Sequence, residues 1–296
     1  MRAPILLALD IGGTKLMVAA ADEHGQIVRR ARAGTPGDLN EGIALLKHMA
    51  HDVAAGKRVI AIGASAGGPL DWRTGVISPL HQPEWRNVPL GDIFSREFKC
   101  PLRVEVDTDA AALAESSAAI IAKGAPAHGL RLLYLTISTG VGGGFIVDGE
   151  IYRGHNGAHP EAGHQAVPWR LELGDKRALR CACGASDCLE ALVSGSAISR
   201  LYGRPAEHLD AAAWREVAFN LGQGLRNLAA IYAPQVIVLG GGVALGGGER
   251  FIAEAARVMR DGLRLVPAPE VRLSELGYDT ALMGAIALAI RAEQAC

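Results

Sequence analysis

Residues 5–21 read ILLALDIGGTKLMVAAA, in which two apolar runs flank a short turn-forming segment. The apolar runs at 5–9 and 16–20 are typical of β-strands, so this stretch predicts a hairpin with a glycine-rich bend. Because the bend joins two strands, it is neither the dinucleotide-binding fingerprint nor the P-loop, both of which lead from a strand into a helix.

Two interpretations of the bend DIGGTK fit its residues equally well. In the first, Gly12 and Gly13 let backbone N–H groups face an anion. Thr14 and Lys15 then add a hydroxyl group and a positive charge, and Asp10 holds Mg²⁺ through water. In the second, the segment is an ordinary hairpin turn with a surface lysine.

Outward from the hairpin, strands and helices alternate along the chain. A helical pattern begins at Leu39, and a buried strand at 59–63 leads into ASAGGP. Further strands are predicted at 102–106, 132–137, 144–147 and 236–239, and further helices at 110–121, 214–231, 251–265 and 281–293. The alternation predicts an α/β fold in which helices flank a sheet.

Length and charge narrow the class of protein. The 296 residues allow one large domain or two smaller ones. Lys and Arg number 30 against 31 Asp and Glu, and the net charge of −1 is too neutral for a dedicated nucleic-acid or anionic-membrane binder. The 37 glycines indicate places where the backbone approaches a ligand closely.

Two uncharged runs, residues 132–147 and 228–245, approach the length of a membrane span. Both contain clustered glycines, so each is better explained as a buried strand followed by a glycine loop. No secretory signal opens the chain, and five cysteines do not resemble a disulfide framework. We therefore expect a cytoplasmic protein whose partners include neither a membrane nor a nucleic acid.

Glycine clusters end three of the apolar strands, at residues 12–13, 140–144 and 240–242. The second cluster, STGVGGG at 138–144, combines hydroxyl groups with a backbone nest that suits phosphate. A plain glycine bend explains it less well, because so many glycines are costly to order. Each cluster is a candidate to meet a phosphate or a nucleotide.

Acidic residues mark a strand-to-helix junction at VEVDTD, residues 104–109. An aspartate at such a junction can face a cleft as a general base, close to a helix N-terminus that attracts anions. Asp107 or Asp109 can instead cap the helix that carries Glu115, which is the more common fate of such a residue.

A candidate metal site consists of one histidine and three cysteines: His164, Cys181, Cys183 and Cys188. These ligands suit tetrahedral Zn²⁺, and a site with four protein ligands leaves no open position for water. The metal is therefore expected to be structural and to pin the loop that carries Glu161 and Glu190.

Taken in order, these motifs resemble those of the ROK family, a group of repressors, open reading frames and sugar kinases. The resemblance spans nearly the whole chain and rests on LDIGGTK at 9–15, Asp107 with Glu115, STGVGGG at 138–144, EAGH at 161–164, CACGASDCLE at 181–190 and LGGGV at 239–243. It implies a two-lobed, ribonuclease H-like fold of the actin and hexokinase type, with ATP and sugar in the cleft between the lobes. Residues 1–116 and 281–296 would form the small lobe, closed by the C-terminal helix, and residues 117–280 the large lobe with its zinc-bearing insert.

The resemblance also implies a role for each matched residue. Asp107 would take a proton from a sugar hydroxyl during ATP-dependent phosphorylation. The residues that would bind sugar are Gly68, Asn156, Glu161, His164 and Glu190. Those near the ATP phosphates would be Asp10, Gly12, Gly13, Thr14, Lys15, Thr139, Gly140 and Gly142, with Gly241 and Gly242 near the adenosine. His164 would serve twice, since its second ring nitrogen would join the three cysteines on Zn²⁺, and Mg²⁺ would bridge the phosphates.

The chain departs from the family pattern beside the expected base. Val106 and Asp109 stand where asparagines are usual, so a hydrogen bond to sugar is expected to be lost at position 106. Asp109 thereby becomes a second candidate base, although the spacing to the following helix favours Asp107. The zinc loop is also longer than usual, with sixteen residues between His164 and Cys181.

The resemblance leaves the sugar open. HPEAGH at 159–164 is similar to the fructokinase branch, whereas PEWRNVPL at 83–90 is similar to the glucokinase branch. We expect glucose to be converted to glucose 6-phosphate, with fructose, mannose and the N-acetylhexosamines N-acetylmannosamine and N-acetylglucosamine as alternatives. A repressor of this family would need a DNA-binding helix-turn-helix ahead of the strand at residue 5, and a sugar-binding protein without catalysis is a third alternative. Family members often form homodimers or homotetramers, and we expect one of these assemblies here.

Overall fold

The structure, a computed structural model, describes residues 3–80, 82–123 and 128–295. Its strands are β1 (Ile5–Ile11), β2 (Lys15–Ala21), β3 (Ile27–Gly34), β4 (Val59–Ala66), β5 (Leu70–Asp71), β6 (Val76–Ile77), β7 (Val88–Pro89), β8 (Leu102–Val106), β9 (Arg131–Ile137), β10 (Val141–Val147), β11 (Glu150–Ile151), β12 (Val236–Gly240) and β13 (Glu270–Leu273). Its helices are α1 (Leu39–Ala54), α2 (Leu90–Phe98), α3 (Asp107–Lys123), α4 (Leu189–Val193), α5 (Gly195–Tyr202), α6 (Ala211–Tyr232), α7 (Gly242–Gly262) and α8 (Thr280–Gln294). Contacts group the chain into unit 1, residues 1–117 with 279–296, and unit 2, residues 118–278. Each unit holds a five-stranded sheet with helices, which confirms the predicted α/β class.

Unit 1 is built on a sheet with the strand order β3-β2-β1-β4-β8. Strands β1 and β2 form the predicted antiparallel hairpin, whereas β1, β4 and β8 run parallel. Alternate side chains of β1 enter two cores, because successive residues of a strand point to opposite faces. Leu7 and Leu9 pack in the core that contains Leu46 of α1, and Leu6 and Ala8 pack in the core formed with α8. Burial on both faces explains why β1 is apolar without interruption from Ile5 to Leu9.

Unit 2 is built on a sheet with the strand order β11-β10-β9-β12-β13. Strand β10 is antiparallel to β9, and β9, β12 and β13 are parallel. Alternate apolar residues of β9 and β12 share one core with α6 and α7. Helices α6 and α7 approach closely at Gly222, where an added Cβ would lie 2.6 Å from the carbonyl oxygen of Ala255. Within the residues described, no helix has the length and apolar character that crossing a bilayer requires.

Three helices begin at least three residues earlier than the sequence predicts, among them α6, which begins at Ala211 instead of residue 214. Helix α3 begins at Asp107 instead of residue 110, and α7 begins at Gly242 instead of residue 251. Gly241 turns the chain out of β12 with a φ of 84°, and Gly248 interrupts α7 with a φ of 66°. Glycine has a low helix propensity, so the sequence pattern places the helix start after these residues rather than among them.

The insert between β11 and α4 consists of loops and of the 3₁₀ helices His155–Gly157, Ala162–His164 and Lys176–Ala178. Two buried polar residues of α6 hold it in place. Asn220 accepts a hydrogen bond from the backbone N–H of Arg170 (2.8 Å) and donates one to the Arg170 carbonyl oxygen (2.7 Å). Glu216 accepts from the backbone N–H of Glu172 (2.6 Å) and from the hydroxyl of Tyr202 (2.8 Å). These bonds supply partners for loop backbone that has no strand to pair with.

Candidate active site

The bend between β1 and β2 is a tight turn with an accessible tip. The N–H of Gly12 donates to the carbonyl oxygen of Lys15 at 3.0 Å, and an added Cβ on Gly12 would lie 3.0 Å from that same oxygen. The hydroxyl of Thr35 donates to the carbonyl oxygen of Gly12 at 2.7 Å and fixes the turn from outside. Gly13 and Thr14 are exposed, so a ligand can reach this part of the backbone.

Asp10 lies beside this turn, on the last part of β1. Its Oδ1 accepts a hydrogen bond of 2.8 Å from the hydroxyl of Ser65, which is fully buried on the neighbouring strand β4. Burial raises the pKa of Asp10, while the bond from Ser65 and the charge of Lys15 oppose that rise. A partly buried carboxylate of this kind offers the hard oxygen ligands that Mg²⁺ prefers.

Three predicted site residues of unit 1 lie at one edge of its sheet. The parallel strands β1, β4 and β8 end at this edge, Asp10 belongs to β1, Gly68 follows β4, and Asp107 directly follows β8. The Asp107 side chain is exposed, and its Oδ1 accepts a hydrogen bond of 2.7 Å from the N–H of Thr108. Asp109 is only 1% exposed. Of the two candidate bases, Asp107 is therefore the one that a ligand can reach.

In unit 2, the segment that joins β9 to β10 forms the second predicted phosphate turn. The N–H of Ser138 donates to the carbonyl oxygen of Gly140 at 2.9 Å and closes the turn. The first residues of α5 support it, since Gly195 donates to the carbonyl oxygen of Ser138 at 2.6 Å and Ser196 donates to that of Thr139 at 3.3 Å. The position of the turn thus depends on where α5 begins.

A cavity of about 750 Å³ opens beside this turn, a volume within the usual range of small-molecule sites of roughly 300–1,000 Å³. Thr139 and Gly242 both line it, so the structure brings together two residues that were predicted to contact ATP. Sequence reasoning missed Glu207, Trp214 and Tyr278, which also line the cavity. These residues belong to separate segments, and their convergence left no signal in the sequence.

The other predicted ATP-contacting glycines of unit 2 have different surroundings. Gly140, Gly142 and Gly241 are not among the described residues that line the cavity. An added Cβ on Gly241 would lie 2.5 Å from the carbonyl oxygen of Ile137, and one on Gly140 would lie 2.7 Å from Oε2 of Glu190. Gly241 is therefore required by its positive φ and by its contact with backbone, whereas an added Cβ at Gly140 would meet only the end of the Glu190 side chain.

A second group of polar residues surrounds Glu161. Its Oε1 lies 3.6 Å from Nε2 of His159, and its Oε2 lies 3.8 Å from Nε2 of His164. His159 was not among the predicted site residues, although it belongs to the HPEAGH motif. Asn156 is exposed nearby in sequence, and within the described part of the chain no hydrogen bond or ion pair joins it to Glu161.

The predicted metal ligands form one cluster. The ligand atoms of His164, Cys181, Cys183 and Cys188 all lie within 4.8 Å of one another. The distance from His164 Nδ1 to Cys181 Sγ is 3.6 Å, and that from Cys183 Sγ to Cys188 Sγ is 3.9 Å. A tetrahedral site with Zn–S bonds of about 2.3 Å separates its sulfur atoms by about 3.8 Å, so the four residues suit a zinc ion. Nδ1 of His164 is thus the ring nitrogen beside Cys181, while its Nε2 lies 3.8 Å from Oε2 of Glu161.

Short backbone pairing closes the long loop between the metal ligands. Ala166 forms a β-bridge with Cys188, and Leu189 donates to the carbonyl oxygen of Gln165 at 3.0 Å. Because this pairing involves residues next to His164 and Cys188, it holds these two ligands together independently of the length of the loop between them. Burial raises the pKa of the Cys181 and Cys188 thiols, so binding of a metal must displace their protons.

Glu190 lies between the metal cluster and the glycine turn of unit 2. Its Oε1 is 3.2 Å from Sγ of Cys181, and its Oε2 accepts a hydrogen bond of 2.8 Å from the N–H of Val141. Both carboxylate oxygens of Glu190, a predicted sugar-binding residue, therefore contact other residues of the protein.

Comparisons with known proteins agree with this arrangement of motifs. The chain is 31% identical to a fructokinase of Zymomonas mobilis over 96% of each chain. It is similar in structure to a ROK hexokinase of Thermus thermophilus, with a TM-score of 0.81, 32% identity and coverage of 99% and 100% of the two chains. A ROK family glucokinase of Streptomyces griseus, solved in complex with glucose and AMPPNP, gives a TM-score of 0.76 at 27% identity over 97% and 99% of the two chains. The model of the ROK family matches residues 6–292, and the chain belongs to this family.

Proposed function

We propose that this protein is an ATP-dependent sugar kinase that transfers the γ-phosphoryl group to a hexose hydroxyl, with glucose as the first candidate and glucose 6-phosphate as the product. The observation that carries the proposal is the exposed carboxylate of Asp107, at the same sheet edge as the glycine turn beside Asp10. A carboxylate so placed can serve as a base, and a glycine turn can receive phosphate oxygens.

In the proposed reaction, Asp107 accepts the proton of the sugar hydroxyl. The hydroxyl oxygen forms a bond to the γ-phosphorus, the bond from that phosphorus to the β,γ-bridging oxygen breaks, and ADP leaves. Glu161 and Glu190 accept hydrogen bonds from other sugar hydroxyls, and Nε2 of His164 holds a further one. With little covalent chemistry for the protein to perform, these residues act by orienting the hydroxyl toward the phosphorus.

The nucleotide-binding residues are proposed to be those of the two glycine turns. The cavity beside Thr139 and Gly242 would take the adenosine, and the segment from Gly12 to Lys15 would contact the phosphates. When bound, Mg²⁺ neutralises charge on the phosphate oxygens, and Asp10 would hold it through water. The AMPPNP in the Streptomyces griseus glucokinase supports the use of ATP.

Zinc is proposed to be structural. With four protein ligands it would fix the loop that carries Glu161 and Glu190, while the second nitrogen of His164 remains available to sugar. Loss of zinc should therefore weaken sugar binding as well as stability.

A panel of sugars tests which of glucose, fructose and the N-acetylhexosamines is the substrate. ADP release from Mg-ATP is measured with glucose, fructose, mannose, N-acetylglucosamine and N-acetylmannosamine, using folded, zinc-loaded protein and Asp107→Asn as the control. Turnover that depends on Asp107 with one sugar supports the kinase and names its substrate. If the protein binds nucleotide but releases no ADP with any of these sugars, the result would favour a sugar-binding protein without catalysis.

A further inference from the structure

The carboxylate of Glu190 makes a contact that its proposed role in binding sugar does not require. Its Oε2 accepts a hydrogen bond of 2.8 Å from the N–H of Val141, the first residue after the turn at 138–140. An added Cβ on Gly140 would lie 2.7 Å from the same oxygen. The carboxylate therefore packs directly on the backbone of the turn, and glycine at position 140 makes room for it.

The same turn is held by residues that follow Glu190 in the chain. Gly195 and Ser196 donate to the carbonyl oxygens of Ser138 and Thr139, at 2.6 and 3.3 Å. An added Cβ on Gly195 would lie 3.0 Å from the Ser138 oxygen, so the two backbones are in close contact. Hence both ends of one short segment contact the turn, Glu190 at its start and Gly195 with Ser196 at its end.

This supporting segment begins at the metal cluster. Cys188 is fully buried and immediately precedes α4, which carries Glu190. The other carboxylate oxygen of Glu190 lies 3.2 Å from Sγ of Cys181. At the far side, Ser138 and Thr139 line the cavity of about 750 Å³. Glu190 thus stands between the metal-bearing loop and the cavity proposed for the nucleotide.

We infer that Glu190 is a positioning residue for the nucleotide turn at 138–140, in addition to its proposed contact with sugar. This inference rests on the proposed function, because it takes the cavity beside the turn as the nucleotide site. The zinc-bearing loop would then contribute to nucleotide binding as well as to sugar binding.

The test is the affinity for Mg-ADP without sugar, measured by calorimetric titration of zinc-loaded protein. Glu190→Ala removes a charge-assisted acceptor from the turn and should weaken ADP binding about tenfold. Glu190→Gln retains a side-chain oxygen that accepts from Val141 and should stay within about threefold of the parent protein. Glu172→Ala is the matched control, because this exposed carboxylate belongs to the same insert and lies 3.9 Å from Nε of Arg170, outside the proposed sugar site; its ADP affinity should be unchanged.

Gly140→Ala supplies a second test that leaves Glu190 in the sequence. The new methyl group would displace the carboxylate from the turn, and ADP affinity should fall while zinc content and melting temperature are retained. If Glu190→Ala loses zinc or fails to fold, this variant decides the matter. Unchanged ADP affinity in folded Glu190→Ala, or in Gly140→Ala, overturns the inference and leaves the kinase proposal intact. A parent protein that binds no ADP overturns both.

Discussion

The hydroxyl of Ser65 donates a hydrogen bond of 2.8 Å to Oδ1 of Asp10, joining two residues that are register partners on the parallel strands β4 and β1. Ser65 is fully buried and Asp10 is partly buried. Burial raises the pKa of Asp10, and the bond from Ser65 counteracts this by stabilising the charged form. Ser65 therefore fixes both the orientation and the charge of the carboxylate at the phosphate turn.

We predict that Ser65→Ala destabilises the protein by about 1–3 kcal/mol, the range for losing a hydrogen bond to a buried charged group. The free energy of unfolding in urea measures this loss. The variant should also need a higher Mg²⁺ concentration for half-maximal ADP release, because Asp10 is less well oriented. A double-mutant cycle with Asp10→Asn supplies the control. If Ser65→Ala costs as much in the Asp10→Asn background as alone, the two side chains are not coupled.

We predict that Cys183→Ser releases the metal. Three of the four ligands remain, but a structural zinc site needs all four for full affinity, so both zinc content and melting temperature should fall. Elemental analysis of the purified protein and a thermal melt measure the two effects. Cys100→Ser is the matched control, because Cys100 lies outside the cluster and its variant should keep its zinc. A parent protein without stoichiometric zinc would argue against the site.

The sequence predicted most of what lies within single elements. Apolar runs predicted β1, β2 and β8, and ligand type and spacing predicted the cluster that contains Cys181 and Cys188. These predictions succeed because strand periodicity and ligand type are local properties of a sequence. Asp107 also lies directly after β8, as the strand prediction implies, and is exposed beside the buried Val106.

Contacts between distant segments could not be predicted in the same way. Trp214 reads as one member of an apolar stripe, yet it lines the same cavity as Tyr278, 64 residues later in the chain. Glu190 was predicted to bind sugar from its motif, but its bond to Val141 depends on how α4 packs against β10. Such relationships arise from tertiary packing, which no periodicity in one segment reports.

We predict a pH-dependent contribution to stability from Glu97 of α2. Its carboxylate lies 2.8 Å from Nζ of Lys47 and 2.8 Å from Nε2 of His51, both on α1. Hydrogen bonds from these two residues lower the pKa of Glu97 below its ordinary value of 4.5. The contribution is therefore present above pH 4.5 and is lost as the pH falls through the lower folded-state pKa.

Glu97→Gln should accordingly lower the free energy of unfolding at pH 7, by less than about 1 kcal/mol because the pair is partly solvated. The difference between the variant and the parent should shrink as the pH is lowered well below 4.5. Urea unfolding at the two pH values measures it. A difference that grows toward acid pH would contradict the assignment.

Gly284 tests the packing of α8 against α3. An added Cβ there would overlap the carbonyl oxygen of Ala110 and would lie 2.8 Å from its Cβ. Alanine is favoured over glycine within a helix by about 1 kcal/mol, but overpacking a close contact costs about 1–3 kcal/mol. We therefore predict that Gly284→Ala lowers the free energy of unfolding. Gly37→Ala is the control, since its Cβ would meet nothing within 4 Å and its stability should not fall.

The two candidate bases, Asp107 and Asp109, differ most in exposure, and their variants should differ accordingly. Asp107 is exposed at the start of α3, whereas Asp109 is 1% exposed. We predict that Asp107→Asn lowers kcat by about 10²–10⁴-fold with little change in melting temperature, because it removes the proton acceptor from an accessible position. Mg-ADP affinity without sugar should be retained.

Asp109→Asn should show the opposite pattern, with a lowered melting temperature and a kcat for the folded fraction close to that of the parent protein. Asparagine has nearly the shape of aspartate but carries no charge, so it changes the interactions of a buried side chain without opening a cavity. Steady-state ADP release, normalised to folded protein by active-site titration, separates the two effects. If Asp109→Asn abolishes turnover while Asp107→Asn leaves kcat intact, the base is Asp109, and the ligand must then reach a side chain that the fold now buries.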